Sequence, residues 1–118
     1  MANWEEKVWG RRRQLLKENC VEVWELDLQL SDGKPVCCSS HDHDMKFNKF
    51  YVVEGKVGVQ IGGESRILST GDEQTVHPHI KHRFTVLAPS RVIEFTWARE
   101  ITEDINRDDV GHVVEAGN

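Results

Sequence analysis

The chain has 118 residues, a formal net charge of −5 and 38% hydrophobic residues, which is typical of one domain with one core. The negative charge disfavours nucleic acid or an anionic membrane surface as a partner, and no apolar run reaches the ~18 residues of a membrane span. The charged start lacks the apolar region of a signal peptide, and three cysteines, two of them adjacent, make a poor disulfide framework, so we expect a cytoplasmic protein.

Short strands separated by turns are predicted along most of the chain. Residues 1–20 form a charged N-terminal segment, in which residues 12–17 are candidates for a short helix. Residues 21–30 alternate apolar and polar side chains, as in a half-buried strand, and Gly62-Gly63 is a hairpin signal. Further strands are predicted at residues 36–40, 49–53, 56–61, 65–68, 73–76, 82–87 and 91–97. With 21–98 as the barrel and 99–118 as a polar tail, the pattern predicts a single all-β domain, a sandwich or barrel.

Three histidines at strand ends form a pattern typical of a metal site. His41 and His43 follow the predicted strand 36–40, and residues two apart in a strand face the same side, with Cα atoms ~7 Å apart. His82 begins another predicted strand, which a closed sheet would bring to the same place. A pair of histidines alone is often only a surface feature, but the third favours a metal site. Such a site suits a divalent ion such as Zn, Fe, Ni, Cu or Mn, and ligand type alone does not choose among them.

The order and spacing of these histidines resemble the cupin family. The cupin motifs place a His-x-His pair, a Glu and a Gly in the first half, and a Gly and a His in the second. The matching positions are His41, His43, Gly55, Gly71 and His82. The position of the family's Glu holds Asn48. The resemblance implies an antiparallel, jelly-roll-like β-barrel with a metal in its pocket.

A narrower resemblance is to the sugar-phosphate isomerase branch of cupins, similar to the C-terminal domain of mannose-6-phosphate isomerase/guanylyltransferase enzymes. Residues 7–11 resemble its opening Pro-Trp-Gly segment, and residues 102–112 resemble its closing signature. The resemblance places the branch's four ligands at His41, His43, Asn48 and His82. It also implies that Arg107 reaches a substrate phosphate, although a solvated arginine is equally expected. Because Asn48 replaces the carboxylate, we expect little isomerase activity on mannose 6-phosphate.

The pocket of such a protein has further candidate residues. His77 and His79 lie in the loop 76–81 and are expected to face solvent or the pocket mouth, with His77 as a minority fourth ligand. Asn48 is expected to point at the pocket. Lys49, Glu73 and a metal-bound water are the candidate bases near it. Glu54 and Glu94 show no clear sign of lying inside the barrel. Of the adjacent cysteines, Cys37 and Cys38, one is expected in the core.

Three functions remain open from the sequence. The first is a metal-dependent, sugar-phosphate isomerase-like enzyme acting on a small polar or anionic molecule. The second is an Fe(II) dioxygenase, because three-His sites also resemble thiol and diketone dioxygenases of the same superfamily. The third is a non-catalytic metal-binding or ligand-binding module. A divalent ion on three neutral imidazoles keeps a charge of +2, which favours an anionic or chelating ligand. A homodimer is expected, because a small barrel with 4 Trp has apolar surface to cover.

Overall fold

The computed structural model describes residues 3–99 and 105–114 of the chain. Every regular element in these ranges is a β-strand, which confirms the all-β prediction. The strands are β1 (Glu5–Lys7), β2 (Gly10–Lys17), β3 (Val21–Leu28), β4 (Val36–Cys37), β5 (His41–Asp42), β6 (Phe47–Glu54), β7 (Lys56–Ile61), β8 (Glu64–Ser69), β9 (Glu73–Val76), β10 (His82–Val86), β11 (Ser90–Trp97), β12 (Asn106–Arg107) and β13 (His112–Val113). No helix in the described part of the chain has the length and apolar character of a membrane span.

The strands pair antiparallel into two sheets. The first has six strands in the order β1-β2-β3-β11-β6-β9. The second has seven, with β12-β5-β10-β4-β13 in line, β7 beside β10, and β8 beside β7. Alternate residues of both sheets pack into one apolar core, for example Leu26 and Val92 from the first sheet and Val59 and Val86 from the second. This is the arrangement expected of an antiparallel jelly roll.

β2 is a strand, so the expectation of a short helix at residues 12–17 is wrong. β2 pairs with β3 from Gly10↔Leu28 to Lys17↔Glu22, with a register shift between Gln14 and Leu16. On the outer face, Arg13 Nε donates to Glu25 Oε1 at 2.7 Å. On the inner face, the Arg12 guanidinium lies 4.0 Å from the centre of the Trp24 ring. These contacts with β3 override the local helix preference of the sequence.

Both ends of the described chain join the barrel. The Trp9 ring lies edge-on to Phe84 with centroids 5.3 Å apart, which confirms that the N-terminal segment packs on the core. At the other end, Arg107 pairs with His41, and Val113 pairs with Val36. Asp109 anchors this tail, because it forms an ion pair with Arg83 and its Oδ1 accepts from the backbone N–H of Ser40 at 3.0 Å. Residues 102–104, which begin the segment resembling the closing signature, lie outside the described residues.

Candidate metal centre

The three predicted histidines converge in the structure. His41 and His82 are directly paired residues of β5 and β10, and their ring centroids are 4.3 Å apart. His43, just after β5, has its ring centroid 5.1 Å from that of His41 and 5.5 Å from that of His82. One nitrogen from each ring belongs to a set whose members all lie within 4.8 Å of one another. The i and i+2 spacing and the β5–β10 pairing therefore bring together the residues that the sequence singled out.

The hydrogen bonds of the His82 and His41 rings leave Nε2 as the nitrogen open to a metal. His82 Nδ1 donates to the Ile80 carbonyl at 2.9 Å, and His41 Nδ1, which also lies 2.9 Å from Ser39 Oγ, donates to the Ser39 carbonyl at 2.9 Å. A ring that donates from Nδ1 in its neutral form has an unprotonated Nε2. His82 Nε2 is buried without a hydrogen-bond partner in the described residues. An unpaired buried acceptor is costly, and metal coordination at this atom would satisfy it.

The histidines also have pKa values suited to coordination. Burial, with the neighbouring His82 as the next cause, lowers the pKa of His41 to about 3. Burial lowers the pKa of His82 as well. Both rings are therefore neutral near pH 7, and no proton has to leave before they act as ligands.

Asn48 lies in the same cavity, as predicted, and its side chain is held in one orientation. It is only 2% exposed, and its Nδ2 donates to Thr96 Oγ1 at 3.0 Å and to Glu94 Oε2 at 3.3 Å. Its Oδ1 is buried without a partner in the described residues. The amide oxygen is thus available to a bound ion or ligand, in the slot where the family carries a carboxylate.

Glu94 is a cavity residue that the sequence interpretation missed. In β11 the side chains of Val92, Glu94 and Thr96 alternate to the inner face, where Val92 and Thr96 are buried. Burial raises the pKa of Glu94 to about 7, with Glu22 adding to the effect and Arg12 and Lys46 opposing it. The alternation with Val92 was the available signal, because it places Glu94 inside with the core residues.

The cavity beside the histidines has a volume of about 680 Å³. It lies between the two sheets, and the N-terminal hairpin and the C-terminal strand β12 contribute to its walls. Its lining includes His41, His43, Asn48 and Glu94, and at the C-terminal side Arg107. Two of the predicted pocket residues, Asn48 and Arg107, are therefore in place.

Other predicted site residues lie elsewhere. His77 is exposed, as expected for a residue facing solvent, and contacts the Phe47 ring at a centroid distance of 5.2 Å; it does not line the cavity, so the minority option of a fourth ligand is wrong. Phe47 is adjacent to Asn48 in β6 and therefore faces the opposite side of the sheet. Lys49 faces that side too, and it forms an ion pair with Glu73 at 3.1 Å, so neither is a base within the cavity. His79 is exposed and 3.9 Å from Asp44.

The adjacent cysteines are both buried. Cys38 lines the cavity, and its Sγ accepts a hydrogen bond from the Phe84 backbone N–H at 3.2 Å. Burial raises the pKa of the Cys38 thiol to about 12. Because a reactive cysteine needs a thiolate, Cys38 is a small core residue, as expected from the sequence.

The sequence matches one family model. A model described as "Cupin domain" matches residues 32–97. This range contains strands β4 to β11 and the three histidines of the centre. No curated protein matches the sequence.

Solved structures with the same fold are numerous. KdgF from Halomonas sp. has a TM-score of 0.74 and 24% identity, over 83% of this chain and 87% of that chain. Pac13, described as a nucleoside dehydratase, has a TM-score of 0.74 and 14% identity, over 92% of this chain and 86% of that one. Streptomyces PAC13 variants were solved with uridine. Oxalate decarboxylase from Bacillus subtilis has a TM-score of 0.72 and 14% identity, over 91% of this chain but 30% of that one. At these identities the similarity concerns the fold alone.

Proposed function

This chain belongs to the cupin family, and from that premise we propose that it binds a divalent metal ion through His41, His43 and His82 and acts on a small anionic molecule beside it. The observation that carries the proposal is the convergence of three imidazoles, two of which, those of His41 and His43, line a cavity of about 680 Å³. Structural relatives with this fold handle small molecules, such as uridine in Pac13. From these relatives we take only that the ligand is a small molecule.

The residues present fit a metal ion. The imidazoles of His41 and His82 are neutral, and the unpartnered His82 Nε2 and Asn48 Oδ1 are the kinds of atoms that coordinate divalent ions. A bound ion would supply positive charge to polarise a carbonyl or hydroxyl oxygen of the substrate. This donor set is compatible with Zn, Fe, Ni or Mn. The Mn(II) centres of oxalate decarboxylase show that one protein of this fold uses manganese.

Glu94 supports an enzyme of the isomerase-like, proton-transfer type. Its carboxyl lines the same cavity as the histidines and is joined to Asn48 by a hydrogen bond. Proton transfer needs an acid or base within hydrogen-bond reach of the reacting group. Lys49 and Glu73 pair with each other on the outer face, so Glu94 is the candidate acid or base inside the cavity. Its substitution by Gln should abolish turnover and leave the metal content unchanged.

A second candidate function is an Fe(II) dioxygenase. The observation that favours it is the composition of the histidine group, which contains no carboxylate among the described residues. In this case Glu94 would be dispensable for turnover, and iron would be the metal that supports activity. The E94Q variant therefore separates the two enzymatic functions. If the protein binds metal but turns over no substrate, it is the non-catalytic binding module.

A homodimer stays a prediction, and the outer face of the six-stranded sheet supports it. Phe47 and Trp97 stack there with centroids 5.5 Å apart and planes 8° apart, beside the partly exposed Phe95 and Ile93. Such a surface on a small domain suits a second copy. Analytical ultracentrifugation should give twice the 13.6 kDa of the chain, and Trp97→Glu should give the single mass.

The metal content of purified protein tests the main proposal. We expect about one equivalent of a first-row divalent metal in the wild type by elemental analysis. His82→Gln and His41→Gln should each lose it. His77→Gln is the matched control, because His77 is exposed and lies on the opposite side of the sheet, and it should retain the metal. Equal metal content in all four proteins would contradict the proposal.

A further inference from the structure

The cavity concentrates positive charge in a chain whose formal net charge is −5. Among residues 3–99 and 105–114, five cationic side chains line it, against two carboxylates. The cationic residues are Lys7, Arg12, Lys17, Lys46 and Arg107, and the carboxylates are Glu22 and Glu94. An excess of cations in a concave site raises the local concentration of anions and binds them. The pocket is thus electrostatically opposite to the molecule as a whole.

Most of these cations have no carboxylate partner among the described residues. Elsewhere, arginines and lysines are largely neutralised by ion pairs, as in Arg11–Asp27, Arg91–Glu25 and Lys81–Asp108. The side chains of four of the five cavity cations take part in no ion pair or hydrogen bond within residues 3–99 and 105–114. They are Lys7, Lys17, Lys46 and Arg107. Charges left unpaired around a cavity are available to a ligand.

Arg107 is the cation placed next to the histidines. Its backbone pairs with that of His41, the first of the predicted ligands. The residues on either side fix this short strand, because Asn106 Nδ2 donates to Asp42 Oδ1 at 3.0 Å and Asp108 accepts from Lys81 Nζ at 2.9 Å. Its backbone position is therefore set before a ligand arrives, which lowers the entropy cost of binding an anion.

Lys46 is the cation on the side of Asn48 and Glu94. It precedes Asn48 by two residues, which is the spacing of side chains on one face of an extended chain. It lines the cavity, and its charge acts on the Glu94 carboxyl. The histidine centre thus has one unpaired cation on the β12 side and another on the β6 side.

We propose that the ligand of this pocket is a small molecule with two anionic groups, one bound at the histidine centre and the other bound at the cavity wall by Arg107 on the β12 side or by Lys46 on the β6 side. The proposal rests on the function proposed above, because the first group needs the metal ion. The second group is a carboxylate or a phosphate, since both accept two hydrogen bonds from an arginine. The proposal excludes neutral sugars and simple monocarboxylates as the preferred ligand.

Two matched pairs of probes test it by titration calorimetry on metal-loaded protein. Malate and lactate share a hydroxy-acid head and differ in the second carboxylate. Glycerate and 3-phosphoglycerate also share a hydroxy-acid head, and they differ in the phosphate. We expect the member with two anionic groups to bind roughly tenfold more tightly than its partner in at least one pair, which corresponds to about 1.4 kcal/mol. A preference for malate identifies a carboxylate, and a preference for 3-phosphoglycerate identifies a phosphate.

Charge-removal variants locate the second group. At least one of Arg107→Gln and Lys46→Gln should reduce the preference threefold or more, and the variant that does so shows which side of the cavity binds the second group. Lys56→Gln is the matched control, because it removes the same charge from an exposed lysine that does not line the cavity, and it should keep the preference. Equal affinity within both pairs, or a preference untouched in both R107Q and K46Q, would overturn the inference. Metal content is measured on the same samples, so loss of the metal would show failure of the proposed function instead.

Discussion

Asn48 and Glu94 are joined by a hydrogen bond of 3.3 Å inside the cavity, from Nδ2 of the amide to Oε2 of the carboxyl. Because a carboxylate accepts hydrogen bonds and does not donate them, this contact turns the amide nitrogen towards β11. Thr96 Oγ1 accepts a second hydrogen bond from the same nitrogen at 3.0 Å. The amide oxygen is left without a partner in the described residues. The hydrogen bond thereby joins neighbouring strands β6 and β11 on the inner face of the six-stranded sheet and leaves the amide oxygen free for a ligand in the cavity.

Asn48→Glu should tighten divalent metal binding roughly tenfold, because it adds a negative charge to a centre of neutral ligands. The new carboxylate would also lie beside Glu94, and like charges repel. The double variant N48E/E94Q should therefore bind still more tightly than N48E. Competition with a fluorescent chelator measures both affinities. Unchanged or weaker binding in both variants would contradict the placement of Asn48 at the centre.

Glu94→Gln should stabilise the metal-free protein at pH 8 more than at pH 5. Burial raises the pKa of Glu94 from its ordinary 4.5 to about 7, so the folded state holds a proton that the unfolded state has released between these values. The contribution of Glu94 to stability is therefore complete below pH 4.5 and is lost as pH rises through 7.

Thermal melts of wild type and E94Q at both pH values check the sign of this effect. A pKa shift corresponds to ~1.4 kcal/mol per unit, so we expect a difference on the order of 1–3 kcal/mol between the two conditions. A variant whose effect on the melting temperature is the same at pH 5 and pH 8 would show that Glu94 ionises normally.

Trp9→Ala should lower stability by about 1–3 kcal/mol, because it removes a partly buried aromatic ring that packs on Phe84 and on the core. Val8→Ala is the matched control, since Val8 is 48% exposed and adjacent in the chain, and it should change stability by less than about 0.5 kcal/mol. Urea denaturation measures both. Deleting residues 1–10 should lower the melting temperature further, and an unchanged melt would show that the hairpin contributes nothing.

Metal-loaded protein should show little or no isomerase activity on mannose 6-phosphate. The position of the family's Glu ligand holds Asn48, and Val110, in the place of a signature Tyr, is 84% exposed. A coupled assay for fructose 6-phosphate measures the reaction. Binding of mannose 6-phosphate without turnover is compatible with the account. Robust turnover would show that Asn48 supports the chemistry of that branch.

The histidine centre was predictable because it depends on local spacing. His41 and His43 share a face by the two-residue period of an extended chain. His82 begins a strand that was predicted, and it pairs with His41 of β5, a two-residue strand that lies just beyond the predicted strand 36–40. Glu94 obeys the same period, but a carboxylate among apolar residues was not expected to face inward. The expectation that Lys49 is a base near the pocket is wrong. Lys49 follows Asn48 by one residue in β6, so its side chain faces the opposite side of the sheet.

The remaining features depend on contacts between distant parts of the sequence. β2 is a strand because its arginines meet Glu25 and Asp27 across β3, which nothing in residues 12–17 indicates. Likewise, Arg107 lines the cavity because β12 pairs with β5. The resemblance to a closing signature suggested this residue, but only the fold shows which strand it joins.

A crystal structure of metal-loaded protein, with data collected at the absorption edge of the metal, tests the central claim most directly. We predict one anomalous peak about 2.0–2.3 Å from Nε2 of each of His41, His43 and His82. The peak should be absent in crystals of His82→Gln grown with the same metal. A metal bound elsewhere, or no ordered metal at these histidines in the loaded wild type, would contradict the account.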